Sequence, residues 1–328
     1  MADLKIEFNE FHKKIVLTSA KKESLRKSRD AIRDRIRKFF LGTLEVEAPK
    51  FFGQGSYAMG TTVNPLDGEF DIDDGVYLQN LDKNDDSNWP NPETVHRWLV
   101  KATENHTNEK PTDKRTCVRV RYAGQYHVDL PAYAELNDAY MLAEKGAKGW
   151  HGSDAKAVTN WFKEEVKEQG DQLRRIVRYL KAWSDFQAGR RGKMPSGLIL
   201  TVLAVQNMHK SERDDVSLAN VALAISDSVN PIFYVYNPVD IDEVLTERLS
   251  DAQKSRFQEA ISDLASDAAD AIDTDDCEKA SALWRQQFGD RFPAVKEKGK
   301  DSQKQEDVAK LIAAYVTKRP VKPWGYTS

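Results

Sequence analysis

A chain of 328 residues, 40% hydrophobic and 31% charged, has the profile of a globular protein with room for two ordinary domains or one core with a large helical extension. Its net charge of −3 leaves no overall electrostatic footprint for nucleic acid. Met1 to Phe11 lacks the apolar stretch of a signal peptide and the longest apolar run, Leu198 to Val205, is too short for a bilayer; two lone cysteines, Cys117 and Cys277, with six unclustered histidines give no zinc pattern, so a cytoplasmic protein is expected.

In chain order, residues 10–41 read as one long helix, with Leu25, Ile32, Ile36 and Phe39 at helical spacing. Residues 21–38 carry nine Lys/Arg against three Asp/Glu; without interleaved aromatic platforms they read as a solvated helix face rather than a nucleic-acid surface. Residues 44–135 change to short β-rich runs punctuated by Gly, Pro and Asp. Gly55-Ser56 follows an apolar run and precedes small residues, which suits a turn at a helix start where free N–H groups hold phosphate. Asp71 and Asp73 flank Ile72; on a strand both carboxylates face one way, a repulsive arrangement that a divalent cation relieves. Asp67 is expected in a turn, and Asp74 on the opposite strand face from Asp73.

A third carboxylate completes a two-ion site, and Asp129 is the candidate. The alternation from Arg115 to Leu130 implies a hairpin with the loop Ala123-Gly124-Gln125, Gly124 taking the left-handed position. It sets Val120 opposite Val128 and Arg119 opposite Asp129, so that Arg119, Arg121, His127 and Asp129 share a polar face. His127 reads as a hydrogen-bonding neighbour of Asp129 rather than a metal ligand. From Lys156 to about Thr317 helical periodicity dominates, broken at Asn230-Pro231 and Asn237-Pro238. Arg174, Arg178 and Lys181 share a face opposite Leu173, Ile176, Val177 and Leu180. Ser196, after Pro195, opens the next helix as its N-cap. The acidic stretch Asp263 to Asp276 is the polar side of a helix whose apolar side is Phe257, Ile261, Leu264 and Ala268. Lys318 to Ser328 reads as an extended tail in which Trp324 and Tyr326 dock on a partner or pack back on the body.

Gly55-Ser56, Asp71-Ile72-Asp73 and Asp129 together resemble the signature of the DNA polymerase β superfamily of nucleotidyltransferases. Within it, Gln54 to Thr61, Asp71 to Tyr77 and the run Trp284 to Gly289 resemble the bacterial cGAS/DncV-like nucleotidyltransferases (CD-NTases) of antiphage CBASS signalling, over most of the chain. The 14 residues between Ser56 and Asp71 exceed the usual spacer, with Pro65 to Glu69 as the extra turn. The resemblance implies an α+β fold: a polymerase β-like core with a mixed sheet, residues 1–160, then a helical domain and tail, residues 161–328, bridged by the long N-terminal helix. It implies that Gln54, Gly55, Ser56, Lys181 and Ser196 bind nucleotide, Lys181 through a Lys-x-Trp element completed by Trp183. Gly197 and Leu198 lack the aromatic that stacks on a base in some relatives.

The activity so implied joins NTPs, ATP among them, into a cyclic di- or trinucleotide with release of pyrophosphate. Mg²⁺, with Mn²⁺ as a substitute, is expected on Asp71, Asp73 and Asp129, and Asp129 is expected to orient or deprotonate the attacking hydroxyl. A HORMA-type or other regulatory partner and nucleic-acid activation stay open, and no membrane is involved. The alternatives are a templateless transferase acting on RNA ends or a small acceptor, and a regulatory nucleotide sensor. Against the latter, an inactive protein has no need for three mutually repelling carboxylates.

Overall fold

The computed structural model describes residues 2–66, 68–123, 126–295 and 310. Asp67, Gly124 and the tail with Trp324 and Tyr326 therefore lie outside the described residues.

The helix expected over residues 10–41 is two helices, α1 (Lys5–Ile15) and α2 (Ser19–Gly42). Val16 turns extended and bridges to Val63, and the Thr18 side chain caps α2 by accepting from the Lys21 amide at 3.3 Å. The break lets each helix serve a different core. Phe8 and Phe11 of α1 pack among Tyr179, Trp284, Phe288 and Phe292, whereas Ile32, Ile36 and Phe40 of α2 pack on the sheet. The buried stripe of α2 ends on Phe40 rather than Phe39, which is only partly covered.

The first half continues through β1 (Lys50–Gln54), α3 (Gly55–Met59), β2 (Phe70–Tyr77), α4 (Pro92–Thr103), β3 (Thr112–Asp113), β4 (Val118–Tyr122), β5 (Tyr126–Leu130), β6 (Ala132–Leu136), β7 (Ala139–Glu144) and β8 (Gly149–Gly152). These strands form one mixed eight-stranded sheet. β2 lies at its centre. It pairs parallel with β5 over Phe70–Asp73 and with β6 over Val76–Tyr77, and antiparallel with β1. The β4–β5 hairpin has the expected register, Val120 opposite Val128 and Arg119 opposite Asp129.

Alternation then gives the sheet two unlike faces. Val76, Val118, Val120, Val128 and Leu130 point to α2 and α4 and form a core with Ile32, Ile36, Val95 and Leu99. Asp71, Asp73, His127 and Asp129 point to the other face. Asp74 does face away from Asp73, as expected. It is fully buried and paired with Arg33 of α2 at 2.7 Å.

The second half contains α5 (Ala155–Gln169), α6 (Gln172–Arg191), α7 (Gly197–Gln206), α8 (Asp214–Ser228), β9 (Tyr236–Asn237), β10 (Asp240–Val244), α9 (Asp251–Asp273) and α10 (Cys277–Phe288). α7 is the buried helix read from Leu198 to Val205, and Phe257, Ile261, Leu264 and Ala268 are the buried side of α9. The β9–β10 hairpin departs from the all-helical expectation: Asn237-Pro238, read as a break between helices, turns one short strand into another. Buried Gln287 ties α10 to α6, accepting from Trp183 Nε1 at 3.1 Å. Cys117 and Cys277 are both free.

Candidate active site

The open face of β2 meets α6 and α7 across a cleft of about 780 Å³, a size suited to a nucleotide. Seven of the eight residues singled out from sequence line it: Gln54, Gly55, Ser56, Asp71, Asp73, Lys181 and Ser196. Gly55 has φ +66°, and a Cβ there would stand 2.1 Å from Asp73 Oδ2. Only glycine therefore lets the chain turn over the Asp73 carboxylate and start α3. Ser56 Oγ lies 3.0 Å from Thr62 Oγ1, and the Ser56 carbonyl accepts from the Thr61 amide at 2.8 Å, closing the loop. Gln54 is buried and donates to the Tyr133 hydroxyl at 3.0 Å.

Asp71 and Asp73 share a face as the spacing required, and the parallel register sets Asp73 beside Asp129 and Asp71 beside His127. Burial, then the charges of Asp71 and Asp129, push the Asp73 carboxyl up to about 8; Arg119 and Lys181 oppose them. Asp129, the eighth residue, does not itself line the cleft. It is 7% exposed, and both its oxygens accept from the Arg119 guanidinium, at 2.7 and 2.6 Å. A carboxylate has about four lone-pair positions, so this fork leaves two for another partner. The sequence placed Arg119 opposite Asp129 without assigning it this hold.

His127 is nearer the centre than the sequence reading placed it. One donor atom each from Asp71, His127 and Asp129 lie within 4.8 Å of one another. Neither of its buried ring nitrogens makes a hydrogen bond, and burial lowers its pKa. A hydrogen-bonding neighbour of Asp129 was expected; Nε2 to Asp129 Oδ2 is 3.9 Å, too long for that role. The acidic set fits a divalent cation. Its oxygens are the hard ligands Mg²⁺ takes, and a cation would favour the ionised form of Asp73, which burial and then the charges of Asp71 and Asp129 disfavour.

Across the cleft, Arg174, Arg178 and Lys181 of α6 are not a solvated stripe. Arg174 donates to the Met59 carbonyl at 3.2 Å and Arg178 to the Gly60 carbonyl at 2.9 Å, fastening the end of α3 to the helical half. Lys181 donates to Thr61 Oγ1 at 3.0 Å. Burial brings its pKa down to about 8, against the pull of Asp71 and Asp73. Ser196 caps α7, accepting from the Ile199 amide at 3.4 Å, and stays exposed to the cleft. The far wall holds residues the sequence reading missed: Asn237 donates to Glu243 Oε2 at 2.6 Å, and Glu243 pairs with Arg248. No motif marks them, because a distant hairpin brings them in.

The basic run of α2 stays away from this cleft, and its inward members are engaged. Arg33 holds Asp74, Arg35 donates to the Ala102 and Glu104 carbonyls, and Lys21 donates to Asn64 at 2.8 Å. The expected solvated face is thus partly a structural one.

Comparison with known proteins sorts out this geometry. Residues 49–133 match the model of the nucleotidyltransferase domain of cyclic GMP-AMP synthase DncV-like proteins, and residues 170–298 match that of the cyclic GMP-AMP synthase C-terminal domain. The chain belongs to the cGAS/DncV-like nucleotidyltransferases. A cyclic GMP-AMP synthase of Escherichia albertii is 29% identical over 259 residues, 75% of this chain and 56% of that protein. A cyclic AMP-AMP-AMP synthase of an Acinetobacter species is 26% identical over 255 residues, 74% of this chain and 72% of that one. The chain spans little more than half the length of the cyclic GMP-AMP synthases it matches. The crystal structure of Vibrio cholerae DncV with nonhydrolyzable GTP superposes with a TM-score of 0.75 at 21% identity, covering 90% of this chain and 100% of the other; the fold is the same polymerase β-like α+β one. Among the described residues no helix is long and apolar enough to cross a membrane.

Proposed function

We propose that this protein is an Mg²⁺-dependent nucleotidyltransferase that joins NTPs into a cyclic di- or trinucleotide, releasing pyrophosphate. The observation that carries the reading is the placement of Asp71, Asp73 and Asp129 on adjacent parallel strands beneath the Gly55 turn, with Lys181 and Ser196 across the same cleft. Relatives named cyclic GMP-AMP synthase and cyclic AMP-AMP-AMP synthase support the product class.

In this reading Asp71, Asp73 and Asp129 hold the divalent cations, which supply charge neutralisation at the α-phosphate and activation of the attacking hydroxyl. Mn²⁺ substitutes for Mg²⁺. Ser56, the amides at the start of α3, Lys181 and Ser196 bind the β- and γ-phosphates of the donor, and Gln54 steadies the loop that presents them. Asp129 orients the acceptor 2′- or 3′-hydroxyl and takes its proton, while the Arg119 fork keeps that carboxylate aimed. Catalysis is then positioning and electrostatics. An antiphage role in the cytoplasm, with a HORMA-type or other regulatory partner, belongs to the same proposal and rests on the family resemblance.

The test is incubation with α-labelled NTPs and Mg²⁺ or Mn²⁺, then phosphatase digestion and mass spectrometry. A phosphatase-resistant product that disappears in Asp73→Asn supports the reading. Label transferred only to RNA or to a small acceptor replaces it with a templateless transferase, and no turnover in any NTP mixture discards it.

A further inference from the structure

We propose that His127 is a nitrogen ligand of the divalent cation, which gives this carboxylate site a preference for Mn²⁺ over Mg²⁺. The inference rests on the proposed metal-holding role of Asp71 and Asp129.

Four observations lead to it. The His127 side chain is only 7% exposed yet neither ring nitrogen makes a hydrogen bond, an arrangement proteins rarely leave uncompensated. The parallel register places it on the same rung as Asp71, and donor atoms of Asp71, His127 and Asp129 gather within 4.8 Å. Nε2 stands 3.9 Å from Asp129 Oδ2. That is too far for a hydrogen bond, but donors about 2.0–2.2 Å from one ion lie about 3–4 Å apart. Finally, Glu69 Oε1 lies 3.3 Å from Nδ1. A carboxylate behind one ring nitrogen with the other turned to an acidic cluster is the arrangement that orients metal-binding histidines and sets their tautomer.

Among the described residues no side chain besides Glu69 and the acidic cluster approaches the ring nitrogens. Arg121, opposite His127 on β4, donates to Thr112 and approaches Glu69, and Arg119 is committed to Asp129. An imidazole in an otherwise carboxylate site shifts selectivity, because Mg²⁺ favours oxygen ligands whereas Mn²⁺ accepts nitrogen more readily.

Pulsed electron paramagnetic resonance on the full-length protein with Mn²⁺ and no nucleotide reads this directly. Expected are ¹⁴N modulations from a bound imidazole, which change to the ¹⁵N pattern on labelling with ¹⁵N-histidine. They should vanish in His127→Gln and also in Asp71→Asn. By titration calorimetry, His127→Gln should weaken Mn²⁺ about tenfold or more and Mg²⁺ less than twofold. A Mn²⁺ signal that depends on Asp71 but lacks nitrogen modulation overturns the histidine ligand and leaves the carboxylate site standing. Nitrogen modulation that persists in His127→Gln comes from another histidine and equally overturns it. Failure to bind Mn²⁺ at all removes both this inference and the metal-holding role beneath it. The wild-type spectrum decides even where His127→Gln folds poorly.

Discussion

Asp73 and Asp74 are neighbours in sequence on opposite faces of one strand, and they have opposite fates. Asp74 sits under α2, fully buried, with Arg33 forked onto its carboxylate. Asp73 lies on the open face with Asp71 and Asp129 beside it, and its pKa is raised to about 8. One face resolves its charge within the fold; the other holds charge in excess, at a cost in stability, where a ligand can resolve it. Buried polar groups are ordinarily satisfied, so the face where they are not is where binding is expected.

The sharpest way to break this contrast is to neutralise each aspartate in turn. Asp73→Asn should lower product formation by about 10³-fold or more, the scale of losing a preorganised electrostatic group, while the metal-free protein melts no lower than wild type. Phosphatase-resistant product and a thermal melt check both halves. Asp74→Ala should do the reverse: it strands Arg33 and destabilises the fold by about 3–5 kcal/mol in urea unfolding, with little loss of specific activity in the molecules that remain folded.

Lys181→Met sharpens the comparison from across the cleft. The folded-state pKa of Lys181 is about 8, below its ordinary 10.5, so the unfolded chain binds more protons between those values. Its destabilisation is present in full below about pH 8 and is relieved as pH rises from 8 to 10.5. The variant should therefore raise ligand-free stability at pH 7 by about 1–3 kcal/mol and flatten the alkaline slope, while NTP affinity falls about tenfold or more. A lower melting temperature at pH 7 would contradict a net cost of burying this ammonium.

The smallest effect lies outside the site. His12 donates nothing to chemistry; burial and the charge of Arg178 lower its pKa from 6.5 to about 4. Because the folded state resists protonation, stability is whole above pH 6.5 and is lost as pH falls from 6.5 to 4. With the ring partly exposed, the loss is about 1–2 kcal/mol. His12→Gln should remove that portion of the acid slope in pH-dependent unfolding.

Much of the site was legible because its parts are local. The two-residue period placed Asp71 and Asp73 on one side of a strand, and the pattern from Val118 to Leu130 had only one hairpin register that kept its valines together. The split between α1 and α2 was not legible, since a continuous helical pattern does not reveal that Phe11 and Ile36 belong to different cores. Nor was the β9–β10 hairpin, whose strands are short and whose residues Asp240, Asp242 and Glu243 lack a strand's apolar alternation.

Residue periodicity and local residue type determined which carboxylates share a face, where the Gly55 turn stands and which helices bury which stripe, because each depends on neighbours within a few positions. Only the tertiary structure decided that Arg119 occupies Asp129, that His127 stands among the acids without a hydrogen bond to either ring nitrogen, that Arg174 and Arg178 join the two halves, and that Asn237, Glu243 and Arg248 form the far wall. Those facts depend on side chains from distant segments meeting in space, where burial sets the energy of a charge or a hydrogen-bonding group, and no local pattern encodes how deeply a group will be buried.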